Sequence, residues 1–218
     1  AAGGEASIEA TAGSVEFKEA RDTYEYTHDS TSASASISAS KTGGGLSGSG
    51  ATVDEGENSS TAKTGSINAG SLNIKSGKDT HLVGTKMDIT NDATIDVGGK
   101  FTMESAVNTA SSSADNTSVS VSVAADLKDK GGSGSLGVHD LDEGFSSTTH
   151  DNAQLNVGNK LTLKTGGDAE LKGATINAKQ MDDSQIGGNL VIESSKDTET
   201  SHSNGVDFDI ALSVPGKE

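Results

Sequence analysis

The 218-residue sequence has no cysteine and no tryptophan, a single proline (Pro215) and only six aromatic residues. Without cysteine there is no disulfide framework, no thiol nucleophile and no cysteine-based zinc site. Arginine occurs once, at Arg21, and 16 Lys and Arg face 32 Asp and Glu, for a net charge of −16. No basic stripe exists to neutralise phosphates, so nucleic acid is excluded as a partner. No apolar run approaches the ~20 residues a spanning helix needs. Leu, Ile, Val and Phe supply 39 of 218 residues, which with this charge is the profile of a disordered chain. Against disorder stand 28 glycines, the near-absence of proline and plentiful Ser, Thr, Asn and Asp, whereas disordered chains favour Pro, Glu and Lys. The sequence opens abruptly on AAGGEASIEATAGS and closes on SVPGKE, and reads as a piece excised from a longer chain.

What the sequence has is a repeat. GKDTHLVGTKMDI (Gly77–Ile89) returns as GGDAELKGATINA (Gly166–Ala178), 89 residues on. Without gaps, Ser71–Thr109 lies on Lys160–Thr198 with identities that include Leu72/Leu161, Gly77/Gly166, Asp79/Asp168, Leu82/Leu171, Gly84/Gly173, Gly98/Gly187 and Gly99/Gly188. Apolar character is kept at Ile74/Leu163, Met87/Ile176, Val97/Ile186, Phe101/Leu190 and Met103/Ile192. A third copy is represented at the N-terminus by GSVEFKEARDT (Gly13–Thr23). Disorder does not preserve apolar alternation from copy to copy, so self-similarity is the first signal to follow.

A shorter echo of 29 residues lies within each copy: GSLNIKS (Gly70–Ser76) becomes GKFTMES (Gly99–Ser105). Each unit has an apolar–polar–apolar core, the period-2 mark of a strand with one buried face, followed by Gly, Asn or Asp turns. Strands so short must stack on their neighbours, which predicts an all-β parallel β-helix with side chains in internal ladders. Coils of about 20 residues are favoured over 29. Buried positions are expected at Leu72, Ile74, Leu82, Val97, Phe101, Met103, Leu161, Leu163, Leu171, Ile176, Leu190 and Ile192.

Between the ladder blocks the pattern changes. Thr117–Ala153 alternates at Val119, Val121 and Val123, reverses through DKGGSGS, and resumes at Leu136 and Val138. This predicts a long β-hairpin leaving the stack. Ser32–Ser60 is its counterpart, with VDEG at Val53–Gly56 answering LDEG at Leu141–Gly144, and a third begins at VDFDIALSV (Val206–Val214). The expected organisation is therefore a repeat-core tail over 1–31, an excursion over 32–64, a second core over 65–109, an excursion over 110–153, a third core over 154–205, and the start of another excursion over 206–218.

The phrases SGKDTHLVGTKM and GGDAELKGATINA followed by IGGNLVIESSKDT resemble the haemagglutinin-type repeats of filamentous haemagglutinin and of the CdiA family of contact-dependent growth-inhibition proteins. The resemblance covers roughly Gly65–Thr109 and Asn152–Val214, with a partial copy before Ser40. It departs at Lys78, Thr85 and Asn108, and the first copy has Ala12-Gly13 for the double glycine, which suits drift in a structural repeat. The resemblance implies a structural and delivery segment of a large exoprotein of a two-partner secretion system. Such a protein is exported through an outer-membrane transporter, displayed at the bacterial cell surface or secreted, and in the CdiA branch engages the target cell's outer membrane or a surface receptor. The alternative is an adhesin segment that binds host or bacterial surfaces, for which Tyr24-Glu25-Tyr26 is the one aromatic concentration outside the expected core. A monomer is expected.

No residue pattern points to catalysis or to a cofactor, and the chain is expected not to be an enzyme. The acidic pairs Asp54-Glu55, Asp142-Glu143 and Asp182-Asp183 could be metal or acid/base carboxylates, but neighbours on a strand point to opposite faces, so solvated turns are expected. Asp79 and Asp168 each follow a glycine turn and are expected to bond their own backbone. His28, His81, His139, His150 and His202 show no metal-ligand spacing. Gly131–Asp140 resembles a calcium nonapeptide, but Leu136 stands where Asp is needed. A lipid-facing strand needs about 9–11 residues with one apolar face, and Thr117–Leu127 offers Val119, Val121, Val123 and Ala125.

Overall fold

The computed structural model describes residues 3–216. Its strands, in chain order, are β1 (Glu5–Ala10), β2 (Val15–Phe17), β3 (Ala20–Ala39), β4 (Gly43–Lys63), β5 (Ser66–Ala69), β6 (Ser71–Ser76), β7 (Thr80–Val83), β8 (Lys86–Ile89) and β9 (Ala93–Val97). They continue with β10 (Phe101–Glu104), β11 (Ala106–Asp126), β12 (Gly131–Asp151), β13 (Ala153–Thr165), β14 (Ala169–Lys172), β15 (Ala174–Met181), β16 (Gln185–Ile186), β17 (Leu190–Glu193) and β18 (Thr198–Val214). Two compact units result, one of residues 3–23, 60–109 and 148–198, the other of residues 24–59, 110–147 and 199–216.

The first unit is a parallel β-helix with three faces. One face stacks β1, β6, β9, the C-terminal half of β13, and β16. The second stacks β2, β7, β10, β14 and β17. The third stacks β5, β8, the N-terminal half of β13, and β15. All of these pairings are parallel, as strands wound in one sense require. Leu72 pairs with Ala93 and Thr80 with Phe101, 21 residues on in both cases. The shorter coil is therefore the real one. The 29-residue echo relates β6 to β10, which lie on different faces: one coil plus one corner. Where an excursion intervenes, the step is 65–68 residues, as from Val15 to Thr80 and from Phe101 to Ala169.

Inward side chains form the ladders the alternation predicts. Ile8, Ile74, Ile95 and Leu163 stack on the first face. Phe17, Leu82, Met103, Leu171 and Ile192 stack on the second, and Ile67, Met87, Leu155 and Ile176 on the third. Ile74, Leu82, Met87, Phe101, Met103, Leu155 and Leu161 are fully enclosed. The narrow interior also admits small polar groups when they pair: the buried hydroxyls of Ser76 and Thr80 lie 2.8 Å apart. Two of the expected core residues are not core. Leu190 is 54% and Ile192 68% exposed, because they sit on β17, the last strand of its stack, with a ladder neighbour on one side only. Leu171, one strand inward, is half-buried and packed against the core, as is Ile176 on β15, the last strand of the third face.

The repeated glycines and aspartates are corner residues. Gly77, Gly98, Gly166 and Gly187 form a column in which a Cβ on each would collide with the backbone carbonyl of the coil before it. Gly99 and Gly188 lack a Cβ because the carboxylates of Asp79 and Asp168 occupy that space. Those carboxylates bond across coils: Asp79 Oδ1 accepts the Lys100 N–H at 2.8 Å and Asp168 Oδ1 that of Asn189 at 2.6 Å. The expectation of bonding to their own backbone is thus corrected; the donor is a corner amide one coil on, with no strand partner of its own. Asp92, which the repeat did not single out, does the same for Lys160. Gly84 and Gly173 turn the chain from the second face to the third with φ of 58° and 57°, a conformation costly for other residues.

Candidate functional surface

The second unit is a five-stranded sheet in the order β18-β12-β11-β4-β3. β3 begins at Ala20, ahead of the serine alternation from which the excursion was read. Cross-strand contacts set the register. Ser34 pairs with Ser49 and Ser36 with Ser47, each at 2.8 Å. Leu127 N–H donates to the Thr42 carbonyl, and Gly48 lies against Val121. Ser122 meets Ser135 at 2.7 Å and Thr117 meets Asp140 at 2.8 Å. His139 meets Asp207 at 2.6 Å and Ser146 meets Thr200 at 2.7 Å. At every seam one partner number rises as the other falls, so the whole sheet is antiparallel.

That register sorts the side chains into two unlike faces, since successive residues point to opposite sides. One face carries Ala33, Ala35 and Ile37 on β3; Leu46, Gly48 and Gly50 on β4; Val119, Val121 and Val123 on β11; Gly134, Leu136 and Val138 on β12; and Phe208, Ile210 and Leu212 on β18. Ile37, Leu46, Val119, Val121, Val123, Leu136, Phe208, Ile210 and Leu212 are 40–82% exposed. The opposite face carries Ser34, Ser36, Ser47, Ser49, Ser120, Ser122, Ser133 and Ser135. With the next row, Ala39, Gly44, Ala125, Gly132 and Val214, about seven residues of each strand belong to the apolar band, a height of roughly 23 Å, and five strands give on the order of 500 Å². That is at the upper end of the largest apolar patch expected on a monomer, the range that marks interaction sites.

The apolar face ends in charge. Along it, past Thr52 and Thr117, Asp29, Asp54, Asp115 and Asp142 occupy one row across four neighbouring strands. Asp54 and Asp142 therefore point to one side, and Glu55 and Glu143 to the other. Asp182-Asp183 lies elsewhere, in the turn after β15, where Asp183 has φ of 56° and pairs with Lys164 at 2.9 Å. The Lys164 ammonium holds the Asp183 carboxyl below the usual carboxylate range. His81 bonds Glu104 at 2.7 Å on the outer side of the β-helix, and His28 stacks with Tyr26 on the edge strand β3. His139, His150 and His202 each stand beside an aspartate of the paired strand or its lead-in. Among the described residues no three His, Asp or Glu come together as a metal site. The signal for the two-faced sheet was present at Val119, Val121 and Val123; the matching rows on the other four strands emerge only once register is known.

The haemagglutinin repeat family model matches residues 1–119 and again residues 107–207. No curated protein and no solved structure matches the chain. Repeats of this family are structural, non-enzymatic parts of large secreted cell-surface exoproteins. The two matches span nearly the whole sequence, one containing Ser71–Thr109 and the other Lys160–Thr198, so the chain belongs to the haemagglutinin repeat family.

Proposed function

We propose that the chain is a toxin-delivery segment of a contact-dependent growth-inhibition exoprotein, and that its hairpin sheet engages the outer membrane of the target cell. The parent protein would reach the cell surface through an outer-membrane two-partner-secretion transporter. One observation carries the membrane reading: a single-layer antiparallel sheet with one apolar and one serine-rich face. Strands that cross an outer membrane alternate in the same way, apolar toward lipid and polar away, over an apolar band of about 25 Å. The roughly 23 Å band of the hairpin sheet matches that height.

The test uses vesicles of phosphatidylethanolamine and phosphatidylglycerol. The chain should co-float with them, and the triple variant Val121→Asp, Leu136→Asp, Phe208→Asp should not, while melting at the same temperature. Failure of the unaltered chain to float, or flotation of the triple variant, would overturn the membrane reading. In the full-length exoprotein, replacing residues 125–146 by a short glycine linker should leave display intact and reduce delivery; unaffected delivery would make the hairpins spacers. A second reading, adhesion, rests on Tyr24 and Tyr26, which are 52% and 41% exposed with Tyr26 stacked on His28. It requires cell binding to fall on replacing both tyrosines by alanine, with vesicle flotation unchanged.

A further inference from the structure

The seams of the hairpin sheet are not equivalent. β3 and β4 are closed by the turn at residues 40–42, and β11 and β12 by that at residues 127–130. No turn closes β12 to β18: the chain between them runs through residues 152–197 of the β-helix. Their pairing must therefore be held by lateral attraction, yet both strands are acidic. β12 carries Asp140, Asp142, Glu143 and Asp151, and β18 carries Glu199, Asp207 and Asp209. Neither strand has a lysine or an arginine. Their only basic groups are His139, His150 and His202; His139 and His202 reach across the seam to a carboxylate, and His150 reaches Asp197, just ahead of β18.

His139 Nδ1 lies 2.6 Å from Asp207 Oδ1, and its Nε2 lies 3.9 Å from Asp209 Oδ1. His150 Nδ1 lies 3.0 Å from Asp197 Oδ1. His202 Nε2 lies 3.6 Å from Asp142 Oδ1. We propose that the β12–β18 seam is a proton-operated latch, closed when these three histidines are charged and loosened when they are neutral. Unprotonated, the seam is left with its backbone pairing, and the three side-chain pairs add no attraction between opposite charges. Protonated, each histidine places a cation against the carboxylate it faces, and this attraction adds to the pairing of the two acidic strands.

The surroundings of each histidine suit that role. His139 faces Asp207 and Asp209 from β18, and only Ser118 and Ser120 from β11. The Asp207 hydrogen bond holds the His139 imidazole above its ordinary value against the opposing effect of desolvation, and the Asp209 charge adds to the rise. A histidine raised in this way contributes fully below its unfolded pKa of about 6.5, and the contribution is lost as pH rises through the higher folded value. His202 faces Asp142 and Gly144 on β12, and β18 has no strand on its other side among the described residues. Glu19, Arg21, Glu104 and Lys172 line the cleft beside His150. The β4–β11 seam, which also joins separate hairpins, contains no histidine.

Hydrogen exchange of the 218-residue chain, corrected for the intrinsic pH dependence of amide exchange, tests the latch. Between pH 5.5 and pH 8.5 the protection of residues 198–214 should fall on the order of tenfold, a few-fold for each exposed pair. Protection of β3 and β4 should not change. Replacing His139, His150 and His202 by glutamine should leave β18 weakly protected at both pH values, and replacement by lysine should keep it protected at both. If the lysine variant fails to fold, Asp207→Asn with Asp209→Asn should raise β18 protection at pH 8.5 and shrink the pH difference. Equal β18 protection at the two pH values, an equal fall in β3 and β4, or unaltered pH dependence in the glutamine variant would each refute the latch.

Discussion

Phe101 and Leu190 occupy the same position of the 89-residue repeat and the same ladder, in which Thr80, Phe101, Ala169 and Leu190 follow one another across adjacent strands. Sequence gives no reason to expect them to differ. In the structure Phe101 is fully enclosed between the small residues Thr80 and Ala169, which make room for its ring, and Leu190 is 54% exposed. Truncating an enclosed Phe to Ala removes its transfer free energy and leaves a cavity, together about 3–5 kcal/mol. Leu190→Ala removes a half-exposed side chain and should cost about 1 kcal/mol or less. With a urea m-value of about 2.5 kcal/mol/M, Phe101→Ala should lower the unfolding midpoint by roughly 1.2–2 M and Leu190→Ala by under about 0.4 M. Circular dichroism at the strand band reads both midpoints. Hydrogen exchange should place the Phe101→Ala loss in β7, β10 and β14, because a solenoid repeat contacts only its neighbours. Equal midpoint shifts for the two variants would refute the assignment of burial by place in the stack.

Gly98→Ala should destabilise by about 1–3 kcal/mol, since its Cβ would meet the Gly77 carbonyl of the preceding coil and backbone cannot yield cheaply. Gly65→Ala, where no atom lies within 4 Å, should leave the melting temperature unchanged or slightly raised. Lys164→Met should move the Asp183 carboxyl back up toward its ordinary value, read by NMR titration. Because that carboxyl is depressed in the folded protein, its contribution is present above the unfolded pKa of about 3.9 and lost as pH falls through the lower folded value. The stability difference between Lys164→Met and the unaltered chain should therefore shrink in acid.

Much of the β-helix is legible in the sequence because its restraints are local and recur. Alternation at Leu72-Asn73-Ile74 marks a strand with one buried face, and paired glycines with an aspartate mark a corner. The corner chemistry itself is less legible: Asp79 and Gly99 are 20 residues apart, and only stacking shows that the carboxylate of one fills the space of the other's missing Cβ. The 21-residue coil is obscured because every second coil carries an excursion, so the most visible periods, 89 and 29, are composites. The exposure of Leu190 and Ile192 is invisible for another reason: their alternation equals that of Phe101 and Met103, and burial depends on whether a coil lies beyond. For the hairpins, Val119, Val121 and Val123 signal one apolar face. The aspartate row and the His139–Asp207 pair depend on cross-strand register, which no local pattern encodes.

The spacing of the excursions has its own geometric reason. Hairpins leave the coil at one corner, after β2 and after β10, and β18 leaves after β17. Between consecutive exits the chain completes two coils, which advances the stack by about 9.6 Å at the 4.8 Å spacing of paired strands. A hairpin is two strands wide, again about 9.6 Å. The 89-residue period is two coils of 21 residues plus one excursion of 47. Within the sheet β4 pairs with β11 and β12 with β18, and the serine and apolar faces continue in register from one hairpin to the next, while individual residues of the repeat such as Lys78, Thr85 and Asn108 drift.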